Sequence, residues 1–393
     1  MEAPPLPSPA LKPVLGDRGL FPELQARAFL NHAAISPPST VVAEAVQQAI
    51  SDYARHGVGA LPRWMAQRER LRASLAELIG ASPADLALTA GTTRGITDIA
   101  MGIAWKPGDR IVLFEGEFPA NTTPWQLAAR TFGLEVVWLS LEGVDDGSFL
   151  GRLEQTLRQG VRLVAVSAVQ FSTGLRMPLG QMTALCHAHG AELAVDAIQA
   201  VGVMPITVRG VDYLACGAHK WLMGMEGAGF LYINPARVSA LNPRTVGWLS
   251  HEDPVRFLIE GAGFLRYDRP LRRKADVFEG SAQNLLGLAA LEASLSLITA
   301  IGVHRVFAHV CTYLDALEKG LVERGFRSLR VSGAESGILS VLPPGEVLEW
   351  HRQLGQRGVA CSTPDGKLRF APHWPNALAE VPLVLAAVDE IQA

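Results

Sequence analysis

Apolar positions along this chain follow two rhythms. After Ser39 or Thr40, "TVVAEAVQQAISDYARHG" repeats them at helical spacing, with the hydroxyl as a candidate N-cap. "RWMAQRERLRASLAELIG" carries a second helical stripe. From there short apolar runs alternate with helical stripes. "LALTAG", "RIVLFEG", "EVVWLSL", "VRLVAVSAV", "AELAVDAIQ", "YLACGAHKWL" and "GAGFLYI" read as strands. "TTRGITDIAMGIA", "ANTTPWQLAARTFG" and "GQMTALCHAHG" read as helices between them. The runs are continuously apolar, as strands are when helices cover both faces of a sheet. The pattern predicts an α/β domain with a mostly parallel sheet. The alternation breaks at "GWLSHEDPVRFLIEGAGFLRYDRPLRRKADVFEGSAQN", a long connection. Beyond it, a long helix from Leu285, a helix in "VCTYLDALEKGLVERG" and short strands at "GILSVLP" and "KLRFAP" predict a smaller α+β domain. The expected division is an irregular arm over 1–20, a large domain over 21–275 and a small domain over 276–393, with the first helices able to pack against the small domain.

Composition narrows the function. A chain of 393 residues suits two domains, and 49% hydrophobic with 19% charged residues supports a large core. The net charge of -3 comes without any basic run, which excludes a nucleic-acid partner. The most apolar stretch, "NLLGLAALEASLSLITAIGV", contains Glu292 and reads as a buried helix, not a membrane span. "MEAPPLPSPALKP" lacks the basic-then-apolar order of a secretory signal. Cys186, Cys216, Cys311 and Cys361 are scattered, as expected in a reducing compartment, and the expected location is the cytoplasm. Cys186, His187 and His189 share one short helix but no common face, so no metal site is expected. "RHGVGALP" has no strand before it and fails as a dinucleotide fingerprint.

In parallel sheets ligands bind beyond the carboxyl ends of the strands, so candidate chemistry is read there. After "LALT" come Gly91, Thr92 and Thr93, which open a helix whose free N–H groups suit phosphate, or simply cap it. After "RIVLFEG" comes Phe118, a stacking surface for a planar ring or a core aromatic. After "VRLVAVSAV", Ser172 and Thr173 offer hydroxyls. After "AELAV" comes Asp196, with Gln199 beyond it; a carboxylate there needs a partner, such as a heterocyclic N–H⁺, or caps the next helix. After "YLACGA" come His219 and Lys220, the latter nearly the only cation in an apolar, glycine-rich stretch. Desolvation lowers the pKa of such a lysine and makes it an amine nucleophile; a surface lysine at a strand end is the alternative. Together these stations supply what pyridoxal 5'-phosphate requires: a phosphate anchor, a ring stacker, an acid for the pyridine nitrogen and a lysine for the aldehyde.

The chain resembles the class V aminotransferase family of the pyridoxal-phosphate fold-type-I superfamily, which includes cysteine desulfurases, C–S lyases, kynureninases and epimerase-like proteins. The resemblance runs from "FLNHAAISP" to "LRFAPHWPN" through "TAGTTRGI", "GEFPANTTPW", "SAVQFSTGLRMPL", "AVDAIQAVG", "CGAHKWLMGMEGAGFLYI" and "FEGSAQN". It implies the type I fold, with a large domain built on a mostly parallel mixed sheet flanked by helices, and a smaller α+β domain. It implies that Lys220 bonds the cofactor aldehyde, Asp196 pairs with the pyridinium, Gln199 bonds the ring hydroxyl and Phe118 stacks on the ring. Gly91, Thr92, Thr93 and His219 would hold the phosphate, and Ser281 would reach a phosphate across the interface of a homodimer with shared sites. Arg369 would grip the substrate carboxylate. Asn31, His32, Ala33 and Ala34 would line the substrate side, and Trp248 would approach a neighbouring site. His373 is expected to pack rather than react.

The implied enzyme binds a small amino acid and removes its Cα proton, with Lys220 as the proton carrier. Transamination is the expected outcome; Cβ–S elimination and epimerisation are the alternatives, and a catalytically silent binding module is the non-enzymatic one. Two departures stand out. Gly217 occupies a position where desulfurases often carry serine. Cys361 in "GVACSTPDGKLRFAP" has no long loop before Arg369, so it is read as a structural thiol and persulfide-forming desulfuration is disfavoured.

Overall fold

The computed structural model describes residues 12–144 and 146–393. The segment 1–11 of the expected arm lies outside the described residues. In chain order, strand β1 (Ala28–Phe29) precedes helices α1 (Thr40–His56) and α2 (Leu61–Ile79). The alternating region follows as β2 (Leu86–Thr89), α3 (Thr92–Gly102), β3 (Arg110–Phe114), α4 (Thr123–Phe132), β4 (Glu135–Leu139), α5 (Ser148–Leu157), β5 (Leu163–Ser167), α6 (Leu179–Ala188), β6 (Glu192–Asp196), β7 (Tyr213–Gly217) and β8 (Gly229–Ile233). The short helix α7 (Pro235–Val238) follows β8, and the connection carries the short helix α8 (Arg256–Ile259). The rest is α9 (Leu285–Ile301), α10 (Val303–Val322), β9 (Arg327–Ser328), β10 (Leu339–Leu342), α11 (Val347–Gln356), β11 (Val359–Ala360), β12 (Leu368–Phe370) and α12 (Glu380–Gln392).

Seven strands form the main sheet in the order β2-β8-β7-β6-β5-β3-β4. All neighbours pair in parallel except β8, which is antiparallel to β2 and β7. The carboxyl ends of β2, β3, β5, β6 and β7 therefore share one edge of the sheet, and the amino end of β8 returns to it. Strands β5 to β8 are buried at every position, which is why the sequence shows no alternation in them. The outermost strand, β4, is only partly buried. A second sheet of three antiparallel strands, in the order β12-β10-β9, carries Arg369 on β12.

Ser39 caps α1 by accepting from the Val42 N–H, as expected. Helix α5 was not anticipated, although Phe149, Leu153, Thr156 and Leu157 form its buried stripe. Helices α11 and α12 were also missed. Helix α9 is mostly buried, and α1 and α2 pack against it. No single helix among the described residues is long and apolar enough to cross a membrane.

Behind the sheet edge a buried ion cluster joins α2 to β2. Glu279 accepts from Arg72 Nη1 at 2.6 Å, from the Leu88 N–H at 2.7 Å and from Arg68, while Arg72 Nη1 also donates to the Leu86 carbonyl at 2.7 Å. Removing one member of such a cluster leaves the others charged and dry. Glu279→Ala should therefore lower unfolding free energy by about 3–5 kcal/mol in urea titration; a loss below about 1 kcal/mol would mean the cluster is dispensable.

Candidate active site

Helix α3 begins at Gly91, whose φ of 142° suits glycine, and no side chain caps the helix start. Its first-turn N–H groups thus face the sheet edge without intrahelical partners. The Thr92 hydroxyl accepts from the Gly217 N–H at 2.9 Å and binds this helix start to the end of β7. A Cβ on Gly217 would stand 3.3 Å from that hydroxyl and 3.2 Å from Ile198 Cδ1, a tight fit that favours glycine here.

Beside this cradle lie charges removed from water. Lys220 is 9% exposed, and burial lowers its pKa against the opposing pull of Asp196. Asp196 is 2% exposed; burial raises its pKa, and its side chain accepts one bond, from the Ile198 N–H at 3.0 Å. Lys220 Nζ stands 5.3 Å from the centre of the Phe118 ring, which meets Phe171 edge-on at 5.2 Å. Arg369 is 4% exposed and has no carboxylate partner among the described residues. Its Nη1 donates to the Phe171 carbonyl at 2.8 Å and its Nε to the Ser362 hydroxyl at 3.1 Å. Burial pushes its pKa down to about 10. A dry guanidinium with only neutral acceptors is a binding site for an anion.

One cavity of about 1010 Å³ collects Ala33, Ala34, Gly91, Thr92, Thr93, Phe118, Asp196, His219, Lys220 and Arg369. Gln199 sits outside its lining, with Nε2 donating to the Ala33 carbonyl at 3.0 Å and Oε1 accepting from Trp221 Nε1 at 2.8 Å, which leaves one amide hydrogen free. Burial, followed by the nearby Lys220 charge, lowers the His219 pKa.

Two expected substrate-side residues are placed elsewhere. His32 is 1% exposed, with Nδ1 at 2.8 Å from the Ser36 hydroxyl and its ring 5.4 Å from that of His373. Asn31 is bridged to Ala371, and neither residue lines the cavity. The reason is the pairing of this segment with the chain after β12, which turns both side chains into the protein. Ser281 is exposed and lines an adjoining cavity of about 240 Å³ that shares Ala90, Arg94 and Gly227 with the first. Trp248 lies outside both, edge-on to Phe257. His373 packs, bonding the Trp221 carbonyl at 2.8 Å. Cys361 is buried and its thiol pushed up to about 12, and no cysteine lines the cavity among the described residues.

Several site residues were not read from the sequence. Phe171 faces the cavity in place of the expected Ser172 and Thr173: the Ser172 carbonyl accepts from the Ser340 hydroxyl, and the Thr173 hydroxyl accepts from the Leu175 N–H. Arg94 and Glu226 line the mouth. The apolar positions after β5 were a usable signal for Phe171; nothing local marked Arg94 or Glu226.

The uncapped helix start, the single-bonded buried acid and the unpaired guanidinium fit pyridoxal phosphate and an amino-acid carboxylate. Comparison with known proteins agrees. The family described as Aminotransferase class-V matches residues 28–367. The chain is 28% identical over 384 residues to a Bacillus subtilis protein named uncharacterized aminotransferase YcbU, covering 96% of each. It is 32% identical over 296 residues to a cysteine desulfurase of Dickeya dadantii, covering 72% of this chain and 69% of that one. An apo cysteine desulfurase from Thermococcus onnurineus superposes with a TM-score of 0.82 at 25% identity, covering 93% of this chain and 94% of the other. The cystine C–S lyase C-DES, solved with cysteine persulfide, superposes at 0.84 with 24% identity over 93% and 98% of the two chains, which speaks for the fold. The chain is a pyridoxal-phosphate-dependent enzyme of fold type I and belongs to the class-V aminotransferase family.

Proposed function

We propose that this enzyme transaminates a small α-amino acid. The observation that carries the reading is the unpaired, buried Arg369 in the same cavity as Lys220 and Asp196. A bidentate guanidinium at that place takes the α-carboxylate and brings Cα toward the lysine. Bound here, pyridoxal phosphate supplies an aldehyde open to amine attack and an electron-accepting pyridinium ring.

The chain's residues do the rest. Asp196 would hold the proton on the ring nitrogen, and Gln199 would offer its free amide hydrogen to the ring oxygen. Phe118 would pack on the ring. The α3 start at Gly91, with Thr92, Thr93 and His219, would hold the phosphate. Lys220, whose burial favours the neutral amine, would take the proton from the substrate Cα. The same side chains serve β-elimination and the family holds both chemistries, so support for transamination comes from the similarity over 96% of each chain to a protein named uncharacterized aminotransferase, while a cavity lined by no thiol among the described residues speaks only against persulfide chemistry. Desulfuration through a cysteine persulfide would require a mobile, acidic thiol, and Cys361 is neither exposed nor acidic.

The proposal extends to a homodimer in which exposed Ser281 serves the phosphate of the partner's site, and to two domains meeting near 275 and 276. The four unpaired cysteines suit the cytoplasm.

A spectral screen with amino acids tests the reaction. A substrate should convert the bound cofactor to its amine form and yield one equivalent of 2-oxo acid; pyruvate with sulfide or ammonia would assign β-elimination instead. Lys220→Ala should abolish turnover while keeping the circular dichroism spectrum, and full activity in that variant would defeat the mechanism.

Arg369→Ala should raise KM for a carboxylate substrate about 30-fold or more, from roughly 2 kcal/mol or more lost. The corresponding amide should be affected much less, and equal effects would remove Arg369 from the carboxylate.

Burial disfavours the Lys220 ammonium, so the neutral amine appears at lower pH than in a solvated lysine. In the apoprotein, acylation of Lys220 followed by mass spectrometry should have a pH midpoint below the ordinary lysine range. A midpoint within that range would mean that water reaches the amine.

A further inference from the structure

Glu117 is a partly buried acid that the proposed reaction leaves without a task. It stands one residue before Phe118, on the turn that follows β3. Its carboxylate accepts from the Ser167 N–H at 2.7 Å, from the Ser167 hydroxyl and from Gln170 Nε2 at 2.9 Å. One oxygen thus takes two N–H donors, as an ionised carboxylate does. Burial raises its pKa, opposed by the bonds from Ser167 and Gln170, and no lysine or arginine is among the groups acting on it.

Ser167 is the residue paired with Asp196 in the β5–β6 register, so the two acids flank the end of β5, which lies between their strands. After burial and the Ile198 N–H bond, the charged groups acting on Asp196 are Glu117 and Lys220; those acting on Lys220 are Asp196, Arg369 and Cys216. Arg369 acts on Lys220 but is not among the groups acting on Asp196, where two carboxylates face the single Lys220 amine, so a further cation beside Asp196 is favoured. A protonated ring nitrogen is such a cation. The tether matters as well. Phe118 is 42% exposed, and among the aromatic side chains of the described residues its ring meets Phe171 alone, so the bonds of the preceding residue are what tie its turn to the end of β5.

We propose that Glu117 is a positioning residue with two separable tasks: its hydrogen bonds hold the Phe118 turn against the end of β5, and its charge helps Asp196 keep the proton on the cofactor's ring nitrogen. This rests on the roles assigned above to Asp196 and Phe118.

The two tasks come apart in two variants. Glu117→Gln keeps the length and the acceptor for the Ser167 N–H but removes the charge. Glu117→Asp keeps the charge but is one methylene too short for the tether. The wild type and both variants would be prepared as apoproteins, checked by thermal denaturation and reloaded with pyridoxal 5'-phosphate. The readouts are the pH midpoint of the ring-nitrogen 15N chemical shift in labelled bound cofactor and the cofactor's dissociation constant. A lost negative charge destabilises a nearby proton, so the midpoint should fall by about one pH unit in Glu117→Gln. In Glu117→Asp the midpoint should stay near wild type while the dissociation constant rises about tenfold, from a lost charge-assisted bond. An unmoved midpoint in Glu117→Gln, or an equal fall in Glu117→Asp, would overturn the charge role. If Glu117→Gln does not fold, Glu117→Ala takes its place, with the same fall expected and an unmoved midpoint again overturning the charge role. Absence of any visible band in the wild type would instead defeat the cofactor assignment itself, which keeps the two failures distinct.

Discussion

Desolvation at one edge of the sheet is the constraint on which the site depends. Lys220, Asp196 and Arg369 have given up water there, and the chain does not return an equal set of partners. Lys220 and Asp196 are displaced in opposite directions by the same cause, burial, and their mutual attraction offsets only part of it. Arg369 is left to carbonyl and hydroxyl oxygens. In a protein stable by a small margin, such groups are tolerated because a ligand completes them. A dianionic, cationic-ringed cofactor and a carboxylate-bearing substrate are complementary to what is missing.

The fold makes that edge possible. Parallel pairing sends the ends of β3, β5, β6 and β7 in one direction, so residues far apart in sequence emerge side by side. Reversal of β8 then brings Glu226 and Gly227 to the same rim, and the pairing of Thr89 with Gly229 sets the α3 start beside them. Arg369 arrives from the other sheet. Its bond to the Phe171 carbonyl fixes the guanidinium against the turn after β5, so the proposed carboxylate anchor is referenced directly to the main sheet. Loss of that bond would free the side chain without disturbing either sheet.

How much of this was legible depended on range. Asp196 and Lys220 could be read because each directly follows an apolar run, and a charge there is costly without a task. Gly91 to Thr93 were legible as a helix start. Arg369 carries no local signal and came only with the family resemblance. The turn after β5 was read one or two residues late, because the hydroxyls of Ser172 and Thr173 drew attention while the chain directs Phe171 into the cavity. His32 was misplaced because its partners, Ser36 and His373, are set by the bridge from Asn31 to Ala371, a contact that sequence spacing does not reveal. Glu117 was invisible for a similar reason: its donors lie on β5, across a parallel crossover. Helix α5 had its stripe in plain view, but a glycine-rich approach through Gly143 and Gly147 hid its start.

The same geometry explains why a thiol close in sequence to Arg369 is chemically distant from the cavity. Successive residues of an extended chain face opposite sides. Ser362 is bridged to Arg369 and turns its hydroxyl toward the guanidinium, so Cys361 must turn inward. There burial pushes the thiol up to about 12, and its carbonyl is 3.2 Å from His351 Nε2, which ties the segment to α11. Bringing the sulfur to the cavity would require breaking the Ser362–Arg369 bridge, and with it one of the two bonds that aim the substrate anchor. A sulfur acceptor at 361 and a fixed carboxylate grip at 369 are thus competing uses of one short stretch of chain. The bridge holds Arg369 where the proposed carboxylate grip needs it, which favours the proposed chemistry over one through a protein-bound persulfide.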